Sequence, residues 1–200
     1  FGSVNKGKGA IYIPAEISKM YEGKQLSYVR VGLAAKAKTV KVFVTKDLNG
    51  EYIATRTQRD QLSGFNEIKF AEPWTIDGEG FYIGYEFESD DYALGSSTMY
   101  NENGCWADLG DGWKNYAVED HALALSIQAK ISGDDLPKDY WLFCSNDILA
   151  EAGKPFNINF SIRNMGTAIG RRFQVAYSID GGEEVTEEIK QTLGQDMEKD

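Results

Sequence analysis

Positive charge is what this chain has least to spare: 21 Lys and Arg stand against 31 Asp and Glu, a formal net charge of −10. Non-specific binding to nucleic acid or to an anionic membrane needs a basic surface, so the balance argues against both. Long apolar runs are absent too. Nothing approaches the roughly 18 consecutive apolar residues of a membrane-spanning helix. Histidine and cysteine are scarce, with one His and two Cys in 200 residues. That leaves no Cys/His zinc spacing and no disulfide framework. Cys105 and Cys144 fall in segments assigned below to different domains, and the expectation is two free, mostly buried thiols.

Catalytic signatures are missing as well. His121 lies in "EDHALAL" beside Glu119 and Asp120, at the start of an alternating segment. No G-x-S-x-G elbow or cysteine-nucleophile motif accompanies it. Glu86 and Glu88 in "YEFESDD" share one face of an alternating segment, with Asp90 and Asp91 after them. They read as a solvated sheet face rather than the paired carboxylates of a glycosidase. The chain is expected not to be an enzyme.

What is present is period-2 alternation. "VKVFVT" (40–45), "NEIKF" (66–70), "FYIGYEFES" (81–89), "LALSIQAKI" (123–131), "FNINFSIR" (156–163) and "FQVAYSID" (173–180) alternate apolar and polar residues. Such alternation marks half-buried strands. Clusters of Gly, Asn and Asp punctuate them at 47–51, 77–80, 110–112 and 180–184. These residues tolerate the backbone angles of tight turns. Helical signal is confined to "PAEISKMYEGK" (14–24), where Ile17, Met20 and Tyr21 are spaced to share a face turned to the core. "SGDDLPKD" (132–139) reads as a linker. The expectation is an all-β chain: a jelly-roll-like β-sandwich at 1–132, then a partial immunoglobulin-like β-sandwich at 138–200. In the second unit, Asn164 and Gly166 are expected to form a corner between strands.

The densest chemistry lies in "NENGCWADLGDGWKNYA" (101–117), with two Trp, two Asp, a Cys and three Gly. Asp108 and Asp111, flanked by Gly110 and Gly112, could offer oxygens to calcium, but their spacing lacks the alternating acids and closing Glu of an EF-hand. The preferred reading is a hairpin turn between "CWADL" and "GWKNYA", with no cofactor. Trp106 and Trp113, with Tyr100, could form a sugar-stacking platform. Trp in a hairpin more often packs across the strand pair, and Trp113 is expected to close over the end of the sandwich.

The order "IYIPAEISKMYEGKQLSYVRVGLA", "VKVFVTKDLNGE", "GFNEIKFAEPWTIDGEGFYIGYEF" and "CWADLGDGWKNYA" before "LALSIQAKI" resembles the jelly-roll modules of secreted and cell-surface Bacteroidetes proteins. "FSIRNMGTAIGRRFQVAYSIDGGEE" (160–184) is similar to Ig-like modules of bacterial surface proteins. The pairing resembles the front end of outer-membrane lipoproteins and of adhesin or peptidase-accessory segments. That resemblance implies an extracytoplasmic, non-catalytic binding or adhesion module, its partner a glycan or a protein. The alternative it implies is a structural spacer presenting a thioredoxin-like or peptidase domain. The chain opens at Phe1 without a leader and stops at "TLGQDMEKD" without a closing feature, so further domains beyond Asp200 are expected.

Overall fold

The computed structural model describes residues 4–97, 100–117, 123–134, 136, 138, 140–143, 154, 160–166, 168–178, 182–194 and 197–199. His121, Glu119, Asp120 and Cys144 lie outside them. The chain divides into two compact units, Phe1–Asp134 and Asp135–Asp200.

The first unit contains β1 (Lys6–Ile13), α1 (Ala15–Lys19), β2 (Gln25–Leu33), β3 (Ala37–Thr45), β4 (Ala54–Gln61), β5 (Gly64–Thr75) and β6 (Phe81–Ser89). It continues with β7 (Ser96–Ser97), β8 (Trp106–Asp108), β9 (Trp113–Asn115), β10 (Ala124–Leu125) and β11 (Ile127–Ser132). Six strands form one antiparallel sheet in the order β4-β3-β6-β1-β8-β9, and three form another in the order β11-β2-β5. The central strands alternate sides, sending one set of side chains between the sheets. Val40, Val42 and Val44 of β3 and Ile83, Tyr85 and Phe87 of β6 meet Val29 and Val31 of β2, Ile68 of β5 and Ile127 of β11 in one buried cluster. The unit is an antiparallel β-sandwich.

Some elements differ from the sequence reading. The helix is only five residues long, so Ser18, not an apolar residue, is its buried position. Ile17 and Met20 are 46% and 55% exposed, and Tyr21 alone of the three packs on the core. A single turn and a half cannot sustain a buried stripe. The segment at 123–131 is broken into β10 and β11 at Ser126, whose N–H bonds Gly95 O and whose carbonyl accepts from Gly32 N. β1, "KGKGAIYI", and β4, "ATRTQRDQ", carry little alternation and were not expected as strands. β4 is an edge strand with no fully buried side chain, which explains its silence.

In the second unit β12 (Tyr140–Phe143), β13 (Ser161–Asn164) and β16 (Glu198–Lys199) form one small sheet, while β14 (Phe173–Tyr177) pairs with β15 (Val185–Ile189). Both sheets are antiparallel. Asn164 is fully buried at the end of β13. Its Nδ2 donates to the carbonyls of Ala168 and Leu193 at 2.8 and 3.0 Å, and its Oδ1 accepts from Gly166 N–H at 3.0 Å. The corner is therefore pinned by one satisfied side chain.

Candidate functional site

Trp106, Asp108 and Trp113 belong to the outward side of the six-stranded sheet. Trp106–Asp108 pairs with Trp113–Asn115 as a hairpin, and β8 in turn pairs with β1, placing Ala10 opposite Trp106 and Lys8 opposite Asp108. Ala107, between two outward residues, points inward and is buried. Gly110 and Gly112 have φ of 114° and 90°, values open to glycine at little steric cost. Asp108 Oδ1 accepts from the N–H of Gly110 at 3.0 Å and of Gly112 at 3.1 Å, so this carboxylate organises the turn. Asp111 forms an ion pair with Lys114, which holds its carboxyl below the usual range, the direct hydrogen bond being the largest cause. Among the described residues no three His, Cys, Asp or Glu converge as metal ligands.

Both tryptophans lie on one face and are half-buried. Trp106 meets Tyr82 edge-on at 5.7 Å, and Trp113 meets Phe43 edge-on at 6.2 Å. Tyr52 stacks flat on Phe43 at 4.3 Å with 6° between planes. With Ala10 and Leu48 these rings make a second, smaller apolar cluster on the outside of the sheet. Trp113 thus lies on the sheet face, not over the sandwich end as expected, because its pairing with Asp108 fixes it to the outward side. Tyr100 is 46% exposed and leads into the turn closed by Gly104 N–H to Asn101 O. It makes no ring contact with either Trp among the described residues.

Sequence reasoning missed the ground on which these rings stand. Gly84 in β6 lies opposite both Phe43 and Ala10. A Cβ there would come within 2.4 Å of Gly9 O, 2.6 Å of Phe43 Cζ and 2.8 Å of Ala10 Cβ. The bare backbone makes room for the Phe43 ring, which covers it in return. Tyr52 is delivered by the 46–53 loop, which Thr45 ties down. Its buried hydroxyl lies 2.7 Å from Asp47 O and 2.9 Å from Glu51 O, and accepts from Asp47 N–H at 3.2 Å. The Tyr52 hydroxyl donates to Glu86 Oε1 at 2.6 Å. Burial first, then that bond and the nearby charge, push the phenol's pKa well upward.

Glu86 is the hub beside the aromatic cluster. Lys41 and Lys8 approach it at 3.5 and 3.8 Å, and Lys6 pairs with Glu88 at 3.3 Å. The cross-strand row Thr57–Lys41–Glu86–Lys8–Asp108–Trp113 therefore crosses all six strands and alternates in charge over the middle four. Beside it lies an open depression of about 430 Å³, lined among others by Thr39, Lys41, Glu86, Glu88 and Asp108. The Trp106 indole N–H is buried and has no hydrogen-bond partner among the described residues. Cys105 is free and fully buried inside the sandwich, and burial pushes its thiol up to about 11.

Fold and face together define an antiparallel β-sandwich with an aromatic and charged outer sheet. Comparison with family models, curated proteins and solved structures gives no match to this chain.

Proposed function

We propose that this chain is a non-catalytic, extracytoplasmic binding or adhesion module of a larger cell-surface protein. Its ligand, a glycan or a protein, would meet the outer face of the six-stranded sheet. The observation that carries the reading is the concentration there of half-buried Tyr52, Tyr82, Trp106 and Trp113 beside a row of alternating charges. Aromatic side chains with polar surroundings are what recognition surfaces are enriched in. The jelly-roll and Ig-like assignments of the two units belong to the same proposal, resting on strand order and resemblance.

A glycan array and a binding screen with the 200-residue chain test this reading. A ligand should be found whose affinity drops about tenfold, some 1.4 kcal/mol, in Trp106→Phe while the melting temperature is kept. Phe keeps one ring against Tyr82 and removes the fused five-membered ring with its N–H, so less flat apolar surface is left for the ligand. The competing reading is a spacer that presents a neighbouring thioredoxin-like or peptidase domain. It is favoured by the mutual pairing of Lys8, Lys41 and Glu86, which leaves those charges satisfied without a ligand. No ligand, or a ligand indifferent to the face, would decide for the spacer.

A further inference from the structure

The opposite side of the sandwich treats its cations differently. On the outward side of the three-stranded sheet two cross-strand rows stand next to one another, Gln128–Arg30–Glu67 and Lys130–Tyr28–Lys69. Three cations face one carboxylate there, in a chain whose net charge is −10. Lys130 reaches Glu67 at 3.4 Å, with both side chains about half exposed, so that pair is weak. Among the described residues no carboxylate lies within ion-pair distance of Arg30 or Lys69. On the six-stranded sheet, by contrast, Lys6, Lys8 and Lys41 all face a glutamate within 4 Å.

Aromatic rings hold Arg30 and Lys69 in place of carboxylates, and at Lys130 a ring adds to the weak Glu67 pair. The Lys69 and Lys130 ammonium groups lie 5.5 and 5.1 Å from the centre of the Tyr28 ring, and the Arg30 guanidinium lies 4.3 Å over Phe65. A ring's negative face attracts an ammonium without cancelling its charge, so the group is positioned yet still positive. Arg30 also donates to Gln128 Oε1 at 3.2 Å, which fixes its plane. The result is a basic patch three strands or roughly 10 Å wide, with one cation on each strand and its two rows about 7 Å apart. Phe65 is 53% exposed at its margin.

We propose that this face binds a linear carboxylated polysaccharide, with uronate carboxylates paired to Lys69, Lys130 and Arg30. Cations on three neighbouring strands suit an extended chain that presents a carboxylate on successive units. The ring of Phe65 offers an apolar surface to a sugar's C–H face. This site is separate from the aromatic face described above and does not depend on it.

The test is calorimetric titration of the 200-residue chain with polygalacturonate, beside neutral dextran, dextran sulfate and poly-L-glutamate. Polygalacturonate should bind, more weakly as salt rises from about 20 to about 300 mM, because exposed ion pairs are screened. Lys69→Gln with Lys130→Gln should weaken binding about tenfold. Lys69→Arg with Lys130→Arg should retain it, and Lys19→Gln with Lys36→Gln, exposed on α1 and in the β2–β3 turn, should leave it unchanged. Absent binding, equal loss in the Lys19/Lys36 pair, or insensitivity to salt would each overturn the proposal. Equal affinity for dextran sulfate or poly-L-glutamate would overturn it too, since the patch would then read charge and not a uronate chain.

Discussion

Asp108 and Asp111 stand three residues apart and look alike in the sequence, yet their carboxylates do different things. Asp108 gathers two backbone N–H groups, whereas Asp111 meets only an exposed lysine. Asp108→Ala should therefore cost about 1 kcal/mol, as loss of a capping acceptor usually does. Asp108→Asn, which keeps an oxygen, and Asp111→Asn should be nearly neutral in thermal denaturation, with or without calcium. A calcium-dependent rise in melting temperature that Asp111→Asn abolishes would refute this assignment. Cys105 makes a pH prediction. Its folded-state pKa stands near 11 against an ordinary 9.0, because burial disfavours the thiolate. Folding then favours the protonated thiol, so its contribution is full below about pH 9 and is lost as pH rises toward 11. In a Cys144→Ser background, the native protein should resist thiol reagents at neutral pH and react only on unfolding. Melting temperature should fall with pH above 9, and Cys105→Ala should flatten part of that slope.

At the scale of elements, the strands legible in the sequence are those with one wet and one dry face. β6 runs Phe81–Ser89, as its alternation says, and the 108–113 stretch is the hairpin its turn residues imply. β1 and β4 were illegible for opposite reasons. β1 sends Gly7 and Gly9 to the inner side, where Phe87 and Leu125 supply the bulk that the strand itself lacks. β4 has no inner side to declare. The aromatic cluster was half-legible: Trp106 and Trp113 stood out, while Tyr52, Tyr82 and Gly84 come from segments 20 to 60 residues away and meet them only through strand register. Local pattern holds no record of such register. The cluster's energetics follow from that geometry. Gly84→Ala would drive a methyl into Phe43 and the Gly9 carbonyl, and should cost about 2–3 kcal/mol in denaturant unfolding. Trp113→Ala removes only a half-buried edge contact and should cost about 2 kcal/mol, below the full-core range. Should Trp113→Ala prove the more damaging, the ring would matter more than the packing beneath it.

Across the whole molecule the two units differ in what they bury. The first holds one continuous cluster of more than twenty buried side chains spanning both sheets. In the second, the cluster among the described residues is Ile162, Phe173 and Leu193. Residues 1–134 expressed alone should unfold in one cooperative transition, whereas residues 135–200 alone should be marginal or self-associate. Urea denaturation with sedimentation of each fragment checks this, and a monomeric 135–200 with a steep, high-midpoint transition would count against it.

The first strand of the chain occupies the middle of the larger sheet, between β6 and β8. Lys8 lies opposite Glu86 on one side and Asp108 on the other. About a hundred residues must therefore follow β1 before its second neighbour exists, and until then one row of its backbone donors and acceptors meets only water. Closing loops of that length is slow, so refolding should take milliseconds to seconds, not microseconds. During that wait the unpaired edge of β1 invites strands from other chains.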